Sequence, residues 1–138
     1  MARIKYLELD EVEPIAEDFY KKTQKSSGRV IHLFKALAHS PKILRDWGRL
    51  GTTLLMKGET SRKLLEIAII RVGEINQAAY ELTAHRRIGL ECGLTQDQVT
   101  DIANWQESDK FDDLERAILQ YTDEVSQNIR VSDESFNS

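Results

Sequence analysis

Leu64-Leu65-Glu66-Ile67-Ala68-Ile69-Ile70-Arg71-Val72, then Gly73-Glu74-Ile75-Asn76, then Gln77-Ala78-Ala79-Tyr80-Glu81-Leu82-Thr83-Ala84-His85 is the stretch that decides the fold. Its first part is apolar on nearly every side, the pattern of a helix enclosed by other helices. Glu66 lies within that run, and a carboxylate there must be paired, hydrogen-bonded or protonated, because burying it bare costs too much. A second helix follows, in which Ala78, Leu82, His85, Gly89 and Cys92 recur at steps of four, three, four and three and so share one face. Glu81 stands one turn before His85. Two successive helices thus carry Glu66, Tyr80, Glu81 and His85 toward a common core.

Working outward, the chain punctuates itself as further helices. Pro14 to Gln24 forms the first, with Pro in the first turn, where its missing N–H costs nothing. Ser26-Ser27-Gly28 is a turn, and Val30, Ile31, Phe34, Leu37 and Ala38 mark a short second helix ending at His39. Ser40-Pro41 restarts the chain as cap and first helical residue of a third helix, which carries Ile43, Leu44, Trp47, Leu50, Leu54 and Leu55 to about Lys57-Gly58. Gly48 and Gly51 weaken that helix by about 1 kcal/mol each relative to alanine, which points to close packing there. Thr60 is the expected cap of the helix holding Glu66, and Gly73 to Asn76 the expected break after it. Gly93 is the expected left-handed residue ending the next helix. Thr95-Gln96-Asp97-Gln98 reads as a capping box opening a sixth helix to about Asn104. A seventh, from Asp112 to about Gln127, aligns Leu114, Ala117, Ile118, Tyr121 and Val125, and the tail from Ser132 to Ser138 opens like another cap. No alternating run asks for a strand, so the class is all-α.

The 138 residues suit one domain, residues 1–138, and the 41% hydrophobic and 30% charged fractions are those of a globular protein with a core. A net charge of −4 argues against nucleic-acid binding, which needs a basic face. The N-terminus turns acidic too soon for a signal peptide, and no uncharged run approaches the ~18 residues that span a bilayer. The expected setting is the cytoplasm, without membrane contact. The single Cys92 rules out an internal disulfide and any CxxC redox or zinc site.

Several of these residues together resemble the carboxymuconolactone decarboxylase and alkylhydroperoxidase D superfamily. They are Leu33-Phe34-Lys35-Ala36-Leu37-Ala38 leading into His39-Ser40-Pro41 (similar to "FxALAHSP"), the helix from Leu64 to Val72, Tyr80-Glu81, His85, Gly93-Leu94, and Phe111 to Ala117. The resemblance runs from about Val30 to Phe136 and implies an all-helical fold assembled as a homo-oligomer, trimer or hexamer, with the site near subunit contacts. It carries over Glu66, Tyr80 and His85 as proton-relay positions. The peroxidase branch has a CxxC whose cysteines fall on Ala78 and Glu81 here, so the redox centre does not carry over. A related branch reads "CxYEWxHH", where this chain has Ala78, Leu82 and Ala84 in place of the cysteine, the tryptophan and the first histidine. By the resemblance a further pair of C-terminal helices is expected where the sequence ends, so that either this is a truncated form or a partner subunit supplies that cover.

Each candidate has two readings. His85 is a general acid/base, since its unperturbed pKa lies near neutrality, or a core histidine satisfied by one neighbour. Glu66 orients it or is a buried structural acid. Tyr80 hydrogen-bonds an oxyanion or bridges Glu66 to His85, or is a core tyrosine. Glu81 orients the imidazole or forms an ordinary i,i+4 pair. Glu81 and His85 share a helical face, but the di-iron pattern and a third good zinc ligand are both missing, so no metal is expected. The favoured function is cofactor-independent decarboxylation or proton transfer on a small carboxylated lactone or carbonyl acid, with an arginine such as Arg71 or Arg86 on the substrate carboxylate. The alternatives are a non-catalytic assembly or binding protein of the same fold and, third, a peroxidase working through Cys92.

Overall fold

The computed structural model describes residues 3–137, and Ser138, the last residue of the expected tail, lies outside them. Among the described residues every regular element is helical. The chain divides into two compact units, Met1–Lys57 and Gly58–Ser138.

The first unit holds α1 (Pro14–Ser27), α2 (His32–Leu37) and α3 (Pro41–Lys57) after a 3-10 turn at Leu9–Glu11. Gly28 ends α1 in the left-handed region (φ 76°), three residues later than the sequence pattern suggests. The core is Ala16, Tyr20, Ala38 and Leu44, with Phe19 and Phe34 meeting edge to face. Gly48 belongs to it, because a Cβ there would run into the Phe19 ring. Tyr20 is buried and its hydroxyl donates to the Leu7 carbonyl at 3.0 Å. Burial, with a smaller contribution from the Glu8 charge, pushes that phenol up to about 12 from 10.0. The raised value means the neutral phenol stabilises this unit fully below pH 10, and that contribution disappears as pH rises toward 12. Far-ultraviolet titration should therefore show the first unit loosening above pH 10 in the wild type. Loss of the same transition in Tyr20→Phe is the expected control, and its persistence would assign it elsewhere.

The α3 stripe turns out differently from the simplest expectation. Leu44 and Gly48 face the core, while Ile43, Trp47, Leu50 and Leu54 are exposed.

The second unit is built on α4 (Arg62–Ile75), packed by α5 (Ala79–Glu91) and α7 (Asp113–Asp123), with α6 (Gln96–Asp101) and a 3-10 segment, Ile102–Glu107, between. No residue of α4 from Arg62 to Arg71 is exposed, as expected for an enclosed helix. Ser61, rather than Thr60, caps it, its Oγ accepting from the Leu64 N–H. Gly73 does not break α4; the helix runs on to Ile75, and the turn comes at Gln77, whose φ is 52°. Gly93 is left-handed (φ 99°) and the Thr95–Gln98 capping box forms with both bonds. The core gathers Ile67, Ile70, Leu94, Val99, Ile102, Trp105, Phe111 and Leu119.

On α7 the buried positions are Glu115, Leu119 and Thr122, whereas Leu114 and Tyr121, and Val125 in the turn beyond it, are exposed. Glu115 explains the choice. It caps α7 with Asp112, accepts from Gln98 Nε2 at 3.0 Å and pairs with Lys63 at 2.5 Å, so the polar side of the helix is the one with partners inside. After α7 a π turn, Glu124–Asn128, leads to α8 (Asp133–Asn137). Glu124 holds α8 through the Ser132 N–H and the Ser135 hydroxyl, each at 2.7 Å, and Gln120 at 2.8 Å. The Ser132 N–H first, then Gln120 and Ser135, bring its carboxyl down to about 2 from 4.5. A lowered value stabilises above pH 4.5 and is lost as pH falls toward 2. Amides of 132–137 should therefore stay protected at pH 4 and exchange freely only near pH 2. A release midpoint near 4.5 would contradict this.

Candidate acid/base site

The site is made where α4 and α5 touch, inside the second unit. Two glycines let the helices close on one another. A Cβ at Gly73 would sit 2.9 Å from Leu82 Cδ2, and one at Gly89 would sit 2.8 Å from Leu94 Cδ1 and 3.1 Å from Ile70 Cδ1. Both contacts are tighter than real side chains accept, so glycine at each place allows the approach. The face Ala78, Leu82, His85, Gly89 and Cys92 is accordingly the buried or part-buried face of α5.

That approach brings His85 to Glu66. The Glu66 carboxylate is fully buried, and its Oε2 lies 2.7 Å from His85 Nδ1. Its other oxygen lies 2.5 Å from Arg62 Nη2, one helical turn earlier. A bare buried carboxylate is unaffordable, and Arg62 supplies the compensating charge. An ionised carboxylate only accepts, so Nδ1 carries the proton toward Glu66 and Nε2 keeps its lone pair for the opposite side. The imidazole is 17% exposed. Glu81 Oε2 stands 3.5 Å from Nε2, too far for a hydrogen bond, and that side chain is 45% exposed. Tyr80 is half exposed at the start of α5.

The structure therefore joins Glu66 and His85 directly, places Glu81 beside the free ring nitrogen and leaves Tyr80 at the surface end of the same helix. Arg62 was not singled out in the sequence. The signal was there, since Arg62 and Glu66 are an i,i+4 pair in which the acid sits in an apolar run.

The arginines expected at a substrate carboxylate have other duties. Arg71 is buried and bonds Asp123 and two backbone carbonyls. Arg86 pairs with Glu74 at 2.6 Å. Cys92, the free thiol, is the C-cap of α5. Among the described residues no three His, Cys, Asp or Glu side chains converge to hold a metal ion. None of the helices there is long and apolar enough to cross a membrane.

Comparison with solved structures finds the same fold. A crystal structure of an alkylhydroperoxidase AhpD core, an uncharacterized peroxidase-related protein from Ralstonia eutropha JMP134, is similar with a TM-score of 0.84 and 22% identity over 98% of this chain and 72% of that one. An uncharacterized peroxidase-related protein from Silicibacter sp. TM1040 is similar with a TM-score of 0.79 and 18% identity over 99% of this chain and 76% of that one. At these identities the likeness is one of fold. No curated protein matches. The sequence model of the Carboxymuconolactone decarboxylase family matches residues 41–124, which hold α3 to α7 and every candidate side chain. With more than half of its length matched, the chain belongs to the carboxymuconolactone decarboxylase family.

Proposed function

We propose that the protein is a cofactor-independent acid/base enzyme that removes CO₂ from a small carboxylated lactone or a similar carbonyl acid. One observation carries this reading: a buried glutamate, charge-balanced by Arg62, bonds one nitrogen of His85 and leaves the other beside the half-exposed Glu81. Such a pair fixes both the tautomer and the orientation of the imidazole.

In the reaction the bond between the ring carbon and its carboxylate breaks. The electron pair passes into the conjugated lactone carbonyl, giving a dienolate. His85, once its Nε2 lone pair has taken a proton from solvent, delivers that proton to carbon, and solvent protonates Nε2 again for the next turnover. Glu66 faces the imidazolium across Nδ1, while Glu81 adds negative charge beside Nε2. Tyr80 donates to the developing oxyanion. At the two positions where the peroxidase branch carries cysteines the chain has Ala78 and Glu81, so a dithiol has no place in this scheme. The same reading has the enzyme working in the cytoplasm as a homo-oligomer, a trimer or hexamer.

The test is NMR of the protein with 4-carboxymuconolactone in D₂O, beside His85→Ala. CO₂ loss with deuterium placed on carbon is expected, with turnover falling ~10²–10⁴-fold in the variant. Turnover that survives His85→Ala would remove His85 from the reaction. Failure with this substrate and with a panel of lactones and keto acids would leave a non-catalytic binding protein of the same fold.

A further inference from the structure

Two buried glutamates of the second unit, Glu66 and Glu115, are held in different ways. Glu115 has partners on both oxygens: Lys63 at 2.5 Å on Oε1, and on Oε2 the Gln98 side chain at 3.0 Å and the Asp112 N–H at 3.1 Å. Glu66 is held less completely. Its Oε2 bonds His85 Nδ1, but Oε1 only lies against Arg62 Nη2 at 2.5 Å, out of line for a hydrogen bond. The neighbouring Arg62 Nη1 is also buried and has no acceptor. Among the described residues, these two atoms are the buried side-chain polar atoms left without a hydrogen bond. A pair serving only the fold would have its bonds completed, as those of Glu115 and Arg71 are, because a buried group left short costs stability. What Arg62 supplies in full is charge, since a guanidinium does not give up its proton.

We propose that Arg62 is a positioning residue acting through Glu66: its charge keeps His85 a neutral imidazole with a bare Nε2. The reason lies in the charge of a buried cluster. The acids that face the ring are Glu66 from α4 and Glu81 from α5. Glu81 is half exposed and water screens its charge, whereas Glu66 is fully buried. With Arg62 in place the Arg62–Glu66 pair is neutral, and a further proton on the ring gives the cluster an unbalanced positive charge. Of the two cations that can pair with Glu66, removal of Arg62 leaves only the imidazolium. The ring would then be held protonated on both nitrogens as the counterion of a buried carboxylate. Held in that way it can neither accept a proton at Nε2 nor release one readily to carbon. The role in turnover rests on the acid/base reading above, but the charge state of the ring can be read without any substrate.

¹⁵N NMR of histidine-labelled protein at pH 7, with His85 assigned by its absence from His85→Ala, tests the proposal. The wild type should show one protonated and one bare ring nitrogen, and Arg62→Met two protonated ones. Arg62→Lys restores the charge and should restore the bare nitrogen. Arg62→Met/Glu66→Gln removes both charges and should restore it too, which a loss of packing at residue 62 would not explain. Two protonated nitrogens in the wild type, a result that needs no variant to fold, would overturn the proposal. So would the wild-type pattern in Arg62→Met, or failure of either further variant to bring the bare nitrogen back. With a substrate that the wild type decarboxylates, turnover should fall ~10²-fold in Arg62→Met and return to within about tenfold in Arg62→Lys. Undiminished turnover in Arg62→Met would remove Arg62 from the reaction. If no substrate is turned over, it is the acid/base reading that fails, and the nitrogen patterns still decide what Arg62 does to the ring.

Discussion

Glu66→Gln should reduce the proposed decarboxylation by ~10²–10⁴-fold while the protein still folds. The carboxylate serves two neighbours at once. It accepts the Nδ1 proton of His85 at 2.7 Å and balances Arg62 at 2.5 Å, with no exposure to water. A glutamine can offer its oxygen to only one of them. If the oxygen turns to Arg62, the amide N–H faces Nδ1, and the ring proton moves to Nε2 in the neutral imidazole. The imidazole is then in the wrong tautomer to accept there, and it has no carboxylate to hold its protonated form. If the oxygen turns to His85, the part-buried Arg62 is left without its counterion. Either way about 3–5 kcal/mol of stability goes with the broken pair. The ¹⁵N shifts of His85 give a readout that does not depend on knowing the substrate. Wild-type protein at high pH should show Nδ1–H, and the variant a mixture or a reversal. An unchanged tautomer with turnover within threefold of the wild type would make Glu66 a packing residue only.

What could be read from the sequence was what is decided locally. The Thr95–Gln98 capping box, the left-handed Gly93 and the enclosure of α4 each depend on a few neighbouring residues, and each is found. Glu66 and His85 were legible because an acid in an apolar run and a histidine on an apolar face both need partners. Their 19-residue separation fits two helices joined by a tight turn. Less legible was which apolar face turns inward. On α3 and α7 the better-looking stripes, through Trp47 and Tyr121, lie outside. Helical periodicity reports that a face is apolar, not which body covers it. On α7 a buried acid overrode the pattern, because Glu115 finds Lys63, Gln98 and its own cap inside. Those partners lie 52 and 17 residues away, and nothing in the sequence near Glu115 announces them. The π turn at Glu124–Asn128 goes with bonds that Glu124 makes beyond it, to Ser132 and Ser135.

Arg71 is the residue for which the structure changes the expectation most, and its removal should unfold the second unit well before the first. The guanidinium is used on two sides. Nε and Nη2 hold the Asp123 carboxylate, at 2.5 and 3.0 Å, and Nη1 donates to the carbonyls of Ala103 and Ile102, at 2.8 and 3.2 Å. Asp123 in turn accepts from Trp105 Nε1 at 3.0 Å and Gln106 at 3.2 Å. One side chain on α4 thus fixes α7 and the 3-10 segment between them. Arg71→Ala leaves a part-buried carboxylate without its counterion and two carbonyls short of a donor, a loss of about 3–5 kcal/mol. That is a large part of the ~5–15 kcal/mol that holds a typical domain, and should lower the melting temperature by ~15–30 °C. Arg71→Lys keeps the charge but not the fork, and should fall between the two. Combining Arg71→Ala with Asp123→Ala should cost less than the sum of the single changes, since each strands the other's partner. The cycle also decides between the two duties proposed for this arginine. A substrate anchor would leave the melting temperature within a few degrees and raise KM, whereas a structural clamp does the reverse in protein assayed well below its transition.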